Sequence, residues 1–174
     1  MTVQTSNGQQ EMKRIIVIFS LTLFTLTACK NSNEQTRQKI NEMTYPVKTI
    51  SISINKPADK VYEFASKPEN FPIWVEFIKS MTKESESLWL AKTDLGNIKI
   101  QFVPKNEFGI IDHLVILPDS STVTNPMRVI ENGKGSELVF TLFWMPNRTE
   151  EEFNQDAKLI ENDLTKIKTI LEAE

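Results

Sequence analysis

The C-terminal segment, residues 149–174, reads TEEEFNQDAKLIENDLTKIKTILEAE and indicates a single long helix. Its apolar residues recur at alternating steps of four and three, which places them on one narrow helical face. These residues are Phe153, Ala157, Ile160, Leu164, Ile167 and Leu171. Thr149 and Glu152 have the spacing of a capping box, which favours a helix start at this point. Such a helix must bury its apolar face against other elements, so we expect the rest of the domain to wrap around it.

The residues before this helix predict one strand, two short helices and then a run of strands. Residues 47–54 alternate apolar and polar side chains, as in a strand with one buried face. Pro57 stands where a helix begins, and Pro68 and Pro72 divide the following residues into two short helices. Short turns connect the later strands, which therefore pair antiparallel. These candidate strands are residues 78–83, 88–93, 98–103, 110–117, 122–131 and 136–144.

The predicted fold class is therefore α+β. It consists of a seven-stranded curved antiparallel sheet wrapped around the long C-terminal helix, with two short helices after the first strand. Strands twist, so a sheet of this size curls. A curled sheet and one helix rarely fill the space between them completely, and we expect a cavity under the helix.

The N-terminal residues have the pattern of an export signal. A positive segment at Lys13 and Arg14 precedes an apolar segment at residues 15–26, which is too short to span a bilayer. It ends in Leu-Thr-Ala-Cys, with the cysteine at position 29. This ending resembles the lipobox of bacterial lipoproteins, in which the cysteine receives a diacylglycerol and becomes the new N-terminus. The alternative is a buried core cysteine after a short helix.

The lipobox resemblance implies three segments. They are a lipoprotein signal peptide at residues 1–29, a polar tether at residues 30–45 and one domain at residues 46–174. Translation starting at Met12 is an open alternative to Met1. The resemblance also implies an extracytoplasmic protein held at a membrane by acyl chains on Cys29.

Composition disfavours several classes of function. The chain has one cysteine, one histidine and a formal net charge of −3. A single cysteine excludes an intramolecular disulfide. With only one cysteine and one histidine, a zinc site built from these residues is disfavoured. No basic patch indicates nucleic-acid binding, and no glycine-rich phosphate loop is present. We therefore expect no metal, no cofactor and no nucleic-acid partner.

The order of the predicted elements resembles the START-like, or SRPBCC, superfamily with its helix-grip fold. This superfamily includes polyketide cyclases, pollen-allergen-type ligand carriers of plants and lipid-transfer domains. The residues that carry the resemblance are Ile52, Ile54, Pro57, Val61, Tyr62, Phe64 and Trp74, followed by residues 108–113, 126–129 and 136–140. The resemblance covers residues 47–171 and implies a ligand cavity under the long helix.

Asp112 and His113 are the most prominent polar pair in the predicted strands. Neighbouring residues of a strand point to opposite faces, so these two do not both enter one cavity without a bulge. Both faces are otherwise apolar, so one of the two should be partly buried and require a partner. A structural polar residue and a ligand-orienting or general-base role both remain open. Arg128 either clamps a ligand carboxylate or pairs on the surface with Asp112 or Glu137.

Three further residues complete the predicted ligand-binding set. Trp74 and Phe140 are core candidates that could also form cavity walls. Asp156 lies with Asp163 beside the apolar helix face, either at a cavity mouth or on a solvated edge. The predicted set is thus Trp74, Asp112, His113, Arg128, Phe140 and Asp156, with no catalytic residue assigned.

The leading hypothesis is a membrane-anchored lipoprotein whose domain binds a small hydrophobic or amphipathic ligand. One alternative is a polyketide cyclase-like enzyme or lyase in which His113, Asp112 or Arg128 polarises a carbonyl. Another is an envelope interaction module without a ligand, which a large apolar patch on the outer face of the sheet would favour. A nucleophilic hydrolase is disfavoured because the sequence has no G-x-S-x-G motif.

Overall fold

The computed structural model describes residues 44–94, 96–146 and 148–173. The predicted signal peptide and nearly all of the predicted tether lie outside the described residues. The unit Pro46–Glu174 is compact by itself, and its buried apolar residues all lie between Ile50 and Leu171. This unit therefore contains a complete hydrophobic core of its own. Within the described ranges, no helix is long and apolar enough to cross a membrane.

The described elements alternate as a strand, two short helices, seven more strands and the long helix. The strands are β1 (Val47–Ile54), β2 (Ile78–Lys83), β3 (Leu88–Thr93), β4 (Gly96–Phe102), β5 (His113–Ile116), β6 (Thr122–Asn125), β7 (Met127–Asn132) and β8 (Gly135–Phe143). The helices are α1 (Ala58–Ala65), α2 (Phe71–Trp74) and α3 (Glu150–Ala173), with a 3₁₀ turn at Pro68–Asn70. The α+β class and the antiparallel pairing are as predicted.

The strands form two sheets, and the predicted single seven-stranded sheet is wrong. One sheet has five strands in the order β2-β3-β4-β5-β6, and the other has three in the order β1-β8-β7. The division occurs at Pro126, which has no N–H to donate to a neighbouring strand. Pro126 splits the predicted strand 122–131 into β6, which pairs with β5, and β7, which pairs with β8. The chain passes from one sheet to the other at this proline.

A second difference lies just before β5, where the predicted strand 110–117 shortens to His113–Ile116. Gly109 adopts a left-handed φ of 69°, and its carbonyl accepts a hydrogen bond from Val129 N–H at 2.9 Å. Ile111 N–H donates to the Met127 carbonyl at 2.8 Å. This segment therefore runs beside β7 and connects the two sheets where they meet.

Helix α3 begins with the predicted capping box. Glu152 N–H donates to Thr149 Oγ1 at 3.2 Å, and Thr149 N–H donates to Glu152 Oε2 at 2.7 Å. The predicted apolar face of α3 is buried, except that Ile160 is half-buried. Asp163 is buried beside it, so a solvated edge at this position is wrong.

Strand β1 lies at the edge of the three-stranded sheet, and α3 bonds to the backbone at the end of that edge. Lys168 Nζ donates to the Ser53 carbonyl at 2.7 Å. Glu172 Oε1 accepts from Asn55 N–H, just after β1, at 2.7 Å. Side chains of the helix therefore satisfy backbone groups that an open edge would leave unpaired.

Candidate functional site

An aromatic cluster forms where α2 packs against the inner faces of β4 and β5. It consists of Phe71, Trp74, Phe102 and His113. The ring centroids of Phe71 lie 4.8 Å from Trp74 and 5.0 Å from Phe102, and the His113 ring lies 5.3 Å from Phe102. The phenylalanines and Trp74 belong to the same hydrophobic core as the apolar face of α3. The cluster is therefore one aromatic part of the interior that α3 helps to enclose.

His113 is buried in the aromatic cluster, and both of its ring nitrogens have protein partners. Nδ1 lies 3.0 Å from the Ile111 carbonyl oxygen, and Nε2 lies 3.2 Å from Asn125 Nδ2. These partners fit a neutral ring in which Nδ1–H donates and Nε2 accepts from the amide. Burial lowers the pKa of His113, while the Ile111 hydrogen bond and the Asp112 charge oppose this shift with smaller effects. Both ring nitrogens are therefore satisfied within the fold.

Asp112 and Arg128 are more exposed than His113 and contact each other. The Asp112 Oδ2 atom lies 3.9 Å from Arg128 Nη2, and 55% of the Arg128 side chain is exposed. The other Asp112 oxygen accepts from Met127 N–H at 2.9 Å. An exposed ion pair at this separation stabilises the fold by less than about 1 kcal/mol. Asp112 therefore contacts two residues of β7 from the segment before β5. The ion pair is the surface pairing that the sequence left as one alternative for Arg128.

Trp74 carries an unusual polar atom within the core. The residue is 4% exposed, and its indole Nε1 has no hydrogen-bond acceptor among the described residues. A buried donor without an acceptor costs about 1–3 kcal/mol. An acceptor on a bound molecule would therefore be favourable beside the Trp74 indole. Ser136 Oγ, on β8, is a second buried side-chain atom without a partner among the described residues. Phe140, from β8, is buried in the same core and supplies apolar surface only.

Asp163 connects α3 to the segment between α2 and β2. Its Oδ1 accepts the Glu76 N–H at 3.0 Å. Burial raises the pKa of Asp163 to about 6, against the lowering effect of the Glu76 N–H bond. The sequence contained a signal for this burial, because Asp163 has helical spacing with Ile160 and Ile167 on the apolar face. Asp156 is half-buried, and burial raises its pKa as well.

Two prominent clefts lie on the surface. One, of about 370 Å³, is formed by α1, the 3₁₀ turn and the end of α3. The other, of about 260 Å³, lies between β1 and α3. No residue of the aromatic cluster lines either cleft, so neither corresponds to the cavity expected under the long helix. Over residues 44–94, 96–146 and 148–173, no group of three or more His, Cys, Asp or Glu side chains could hold a metal ion.

Comparison with solved structures shows the fold. A protein from Bacillus thuringiensis aligns with a TM-score of 0.61 at 15% identity, covering 72% of this chain and 98% of that one. A START superfamily protein from Mycobacterium smegmatis aligns with a TM-score of 0.60 at 11% identity, covering 73% of this chain and 97% of that one. Ara h 8.0201 aligns with a TM-score of 0.56 at 12% identity, covering 74% of this chain and 99% of that one.

The sequence alone finds no relative in the other comparisons. It matches no protein-family model and no curated protein. At identities of 11–15% the structural likeness concerns the fold and not the activity. The chain has the START-like (SRPBCC) fold predicted from its sequence.

Proposed function

We propose that the protein binds a small hydrophobic or amphipathic molecule in the interior under α3. The observation that carries the proposal is the buried Trp74 Nε1–H, which has no acceptor within the described part of the chain. Ligand sites are mainly apolar and contain a few polar groups that fix the ligand's orientation. The aromatic cluster around Trp74 has this composition, and the START-like fold supports the same interpretation by analogy.

The geometry indicates which chemistry such a ligand would have. An acceptor oxygen, as in a carbonyl, hydroxyl or carboxylate group, would receive the Trp74 hydrogen bond. An aromatic or aliphatic body would pack against Phe71, Phe102 and Phe140. Because these side chains fill the core, uptake requires α3 to move away from α2. The hydrogen bond between Asp163 and Glu76 N–H is one contact that this movement would break.

Binding can be tested by native mass spectrometry of the protein with palmitate, lysophosphatidylcholine and the flavonoid naringenin. We expect at least one of them to be retained. Trp74→Phe keeps a ring in place but removes the indole donor, so we expect it to weaken binding of the retained ligand about fivefold or more.

Trp89→Phe is the matched control because Trp89 is also buried, at 6% exposure, and lies outside the aromatic cluster. Both substitutions remove the same volume from the core, but Trp74→Phe also removes an unpaired donor, so it should lower the free energy of unfolding less than Trp89→Phe does. Only Trp74→Phe should weaken binding of the ligand. Retention of none of the three molecules, or equal affinities for the two variants, would contradict the proposal.

We also propose that Cys29 carries a lipid anchor that holds the domain at the extracytoplasmic side of a membrane. The sequence motif supports this proposal. Mass spectrometry of protein extracted from membranes should find an N-terminal peptide that begins at Cys29 with a diacylglyceryl group on sulfur. Cys29→Ser should remove the modification. An N-terminal peptide that extends through an unmodified Cys29 would refute the anchor.

Catalysis has less support than binding. A cyclase or lyase would need a free acid or base directed at its substrate, whereas both nitrogens of His113 have protein partners. Arg128 pairs with Asp112 and is largely exposed. We therefore assign the interior to binding and orientation of a ligand.

A further inference from the structure

The cleft between α1 and the end of α3 lies apart from the aromatic cluster and has a composition of its own. We call it the lysine cleft. Lys56, Lys60 and Lys67 line it together with the apolar side chains of Phe64 and Leu171. Its volume of about 370 Å³ is in the range of small-molecule sites. The cleft thus combines positive charge with an apolar surface.

The positive charge of the lysine cleft is only partly compensated. Glu63 is the single acidic residue that lines it, and its Oε1 lies 3.4 Å from Lys67 Nζ. Lys56 and Lys60 have no acidic partner among the residues that the structure describes. This excess of positive charge occurs in a chain whose formal net charge is −3. The distribution is therefore local and does not follow from the overall composition.

Two of the lysines, Lys56 and Lys60, lie at a helix start, where positive charge is unfavourable. Lys56 precedes α1 and Lys60 is in its first turn, beside the positive end of the helix dipole. The N-cap residue is Pro57, whose side chain has no group that could cap the helix. Asp59 in the first turn suits the dipole but forms no ion pair with Lys56 or Lys60 among the described residues. Residues that oppose a local preference without a compensating contact are expected at functional sites. A bound anion would supply the missing compensation.

The apolar part of the cleft distinguishes between kinds of anion. Phe64 is half-buried and supplies most of this surface, because Leu171 is only 4% exposed. Asn70 also lines the cleft, but its Nδ2 already donates to the Phe64 carbonyl at 2.9 Å. A free phosphate ion would gain nothing from this surface, whereas the glycerol and first methylene groups of a lipid would pack on it. We propose that the lysine cleft binds the phosphate head group of an anionic membrane lipid.

Vesicle binding of the domain, residues 46–174, tests this inference, because that unit contains its own core. The vesicles are phosphatidylcholine with or without 30% phosphatidylglycerol. The test variant is Lys56→Gln/Lys60→Gln, and the control is Lys105→Gln/Lys134→Gln, which removes the same charge from exposed residues outside the cleft. Circular dichroism checks that both variants are folded.

We expect binding to the anionic vesicles that weakens as salt rises. Each lysine near an anionic surface contributes about a fivefold gain in affinity, so the cleft variant should bind about 25-fold more weakly. The affinity of the control variant for the anionic vesicles should change less than twofold. Equal losses in the two variants, or equal binding to the neutral vesicles, would overturn the inference.

Inorganic phosphate separates the two sources of a phosphate group. At a concentration equal to that of the accessible phosphatidylglycerol, it should not displace the domain from vesicles. Displacement would show a site for free phosphate and would overturn the assignment to lipid. The result does not depend on Trp74, so failure of the interior ligand site would leave this test unaffected.

Discussion

At the scale of single residues, Asp163 makes the stability of the domain depend on pH in a direction that can be measured. Its carboxyl group is buried, and its pKa lies at about 6 instead of 3.8. The folded state therefore binds this proton more tightly than the unfolded state does. Stability from this group is fully present below about pH 4 and is lost as the pH rises through 6.

Asp163→Asn should reveal this loss, because the amide oxygen can still accept the Glu76 N–H but carries no charge. We expect the variant to be more stable than the native protein at pH 8, on the order of 2–3 kcal/mol. Near pH 3.5 the two should have similar stabilities. Urea unfolding followed by circular dichroism at both pH values measures the difference.

Asp156→Asn is the companion variant on the same helix. Asp156 is less buried than Asp163, so a smaller gain at pH 8 is expected. A lower stability of Asp163→Asn at pH 8 would mean that the ionised carboxylate stabilises Glu76 N–H by more than its burial costs. That result would contradict the raised pKa.

At the scale of secondary-structure elements, the start of α3 depends on one reciprocal cap. Thr149→Ala removes the hydroxyl that accepts the Glu152 N–H, and we expect a loss of about 1 kcal/mol in the free energy of unfolding. Thr165→Ala on the same helix is the control. The Thr165 hydroxyl bonds only to the Glu161 carbonyl of its own helix, so its removal should change stability by less than about 0.5 kcal/mol. Similar losses in chemical denaturation would contradict the cap.

The elements that the sequence predicted well are those specified by nearby residues. The capping box and the buried face of α3 follow from spacings of three and four residues, and both are observed. The two short helices follow from proline positions and are also observed. The early part of the predicted strand 110–117 failed because Gly109 and Ile111 bond instead to β7, a partner distant in sequence.

The candidate site was less predictable for the same reason. That His113 is the buried member of its pair, held by Asn125 and the Ile111 carbonyl, depends on which strand lies beside β5. Alternation along one strand could state that the two residues differ, but not which one faces inward. The missing acceptor at Trp74 is likewise visible only once the residues around α2 are in place.

At the scale of the whole molecule, the two sheets meet where the segment around Gly109 runs beside β7. A Cβ atom at Gly109 would overlap the Val129 carbonyl oxygen, and the φ of 69° is unfavourable for alanine. We expect Gly109→Ala to lower the free energy of unfolding by about 3 kcal/mol or more. Thermal or urea unfolding of the purified domain measures this loss.

Gly133→Ala is the matched control for backbone strain. Gly133 has a similar φ of 62°, but a Cβ there would meet nothing within 4 Å. Its substitution should cost only about 1–2 kcal/mol. Equal stabilities of the two alanine variants would contradict an additional cost from the close approach between Gly109 and the Val129 carbonyl.

The cover that α3 places over β1 also bears on how separate copies of the protein behave at high concentration. While Lys168 and Glu172 bond to the backbone at Ser53 and Asn55, these two groups at the end of the edge are not free to pair with another chain. Removing residues 168–173 would leave the Ser53 carbonyl and the Asn55 amide without these partners. Exposed edges of this kind template strand pairing between molecules and lead to aggregation. We therefore expect a variant that lacks residues 168–173 to aggregate more readily than the native protein at high concentration.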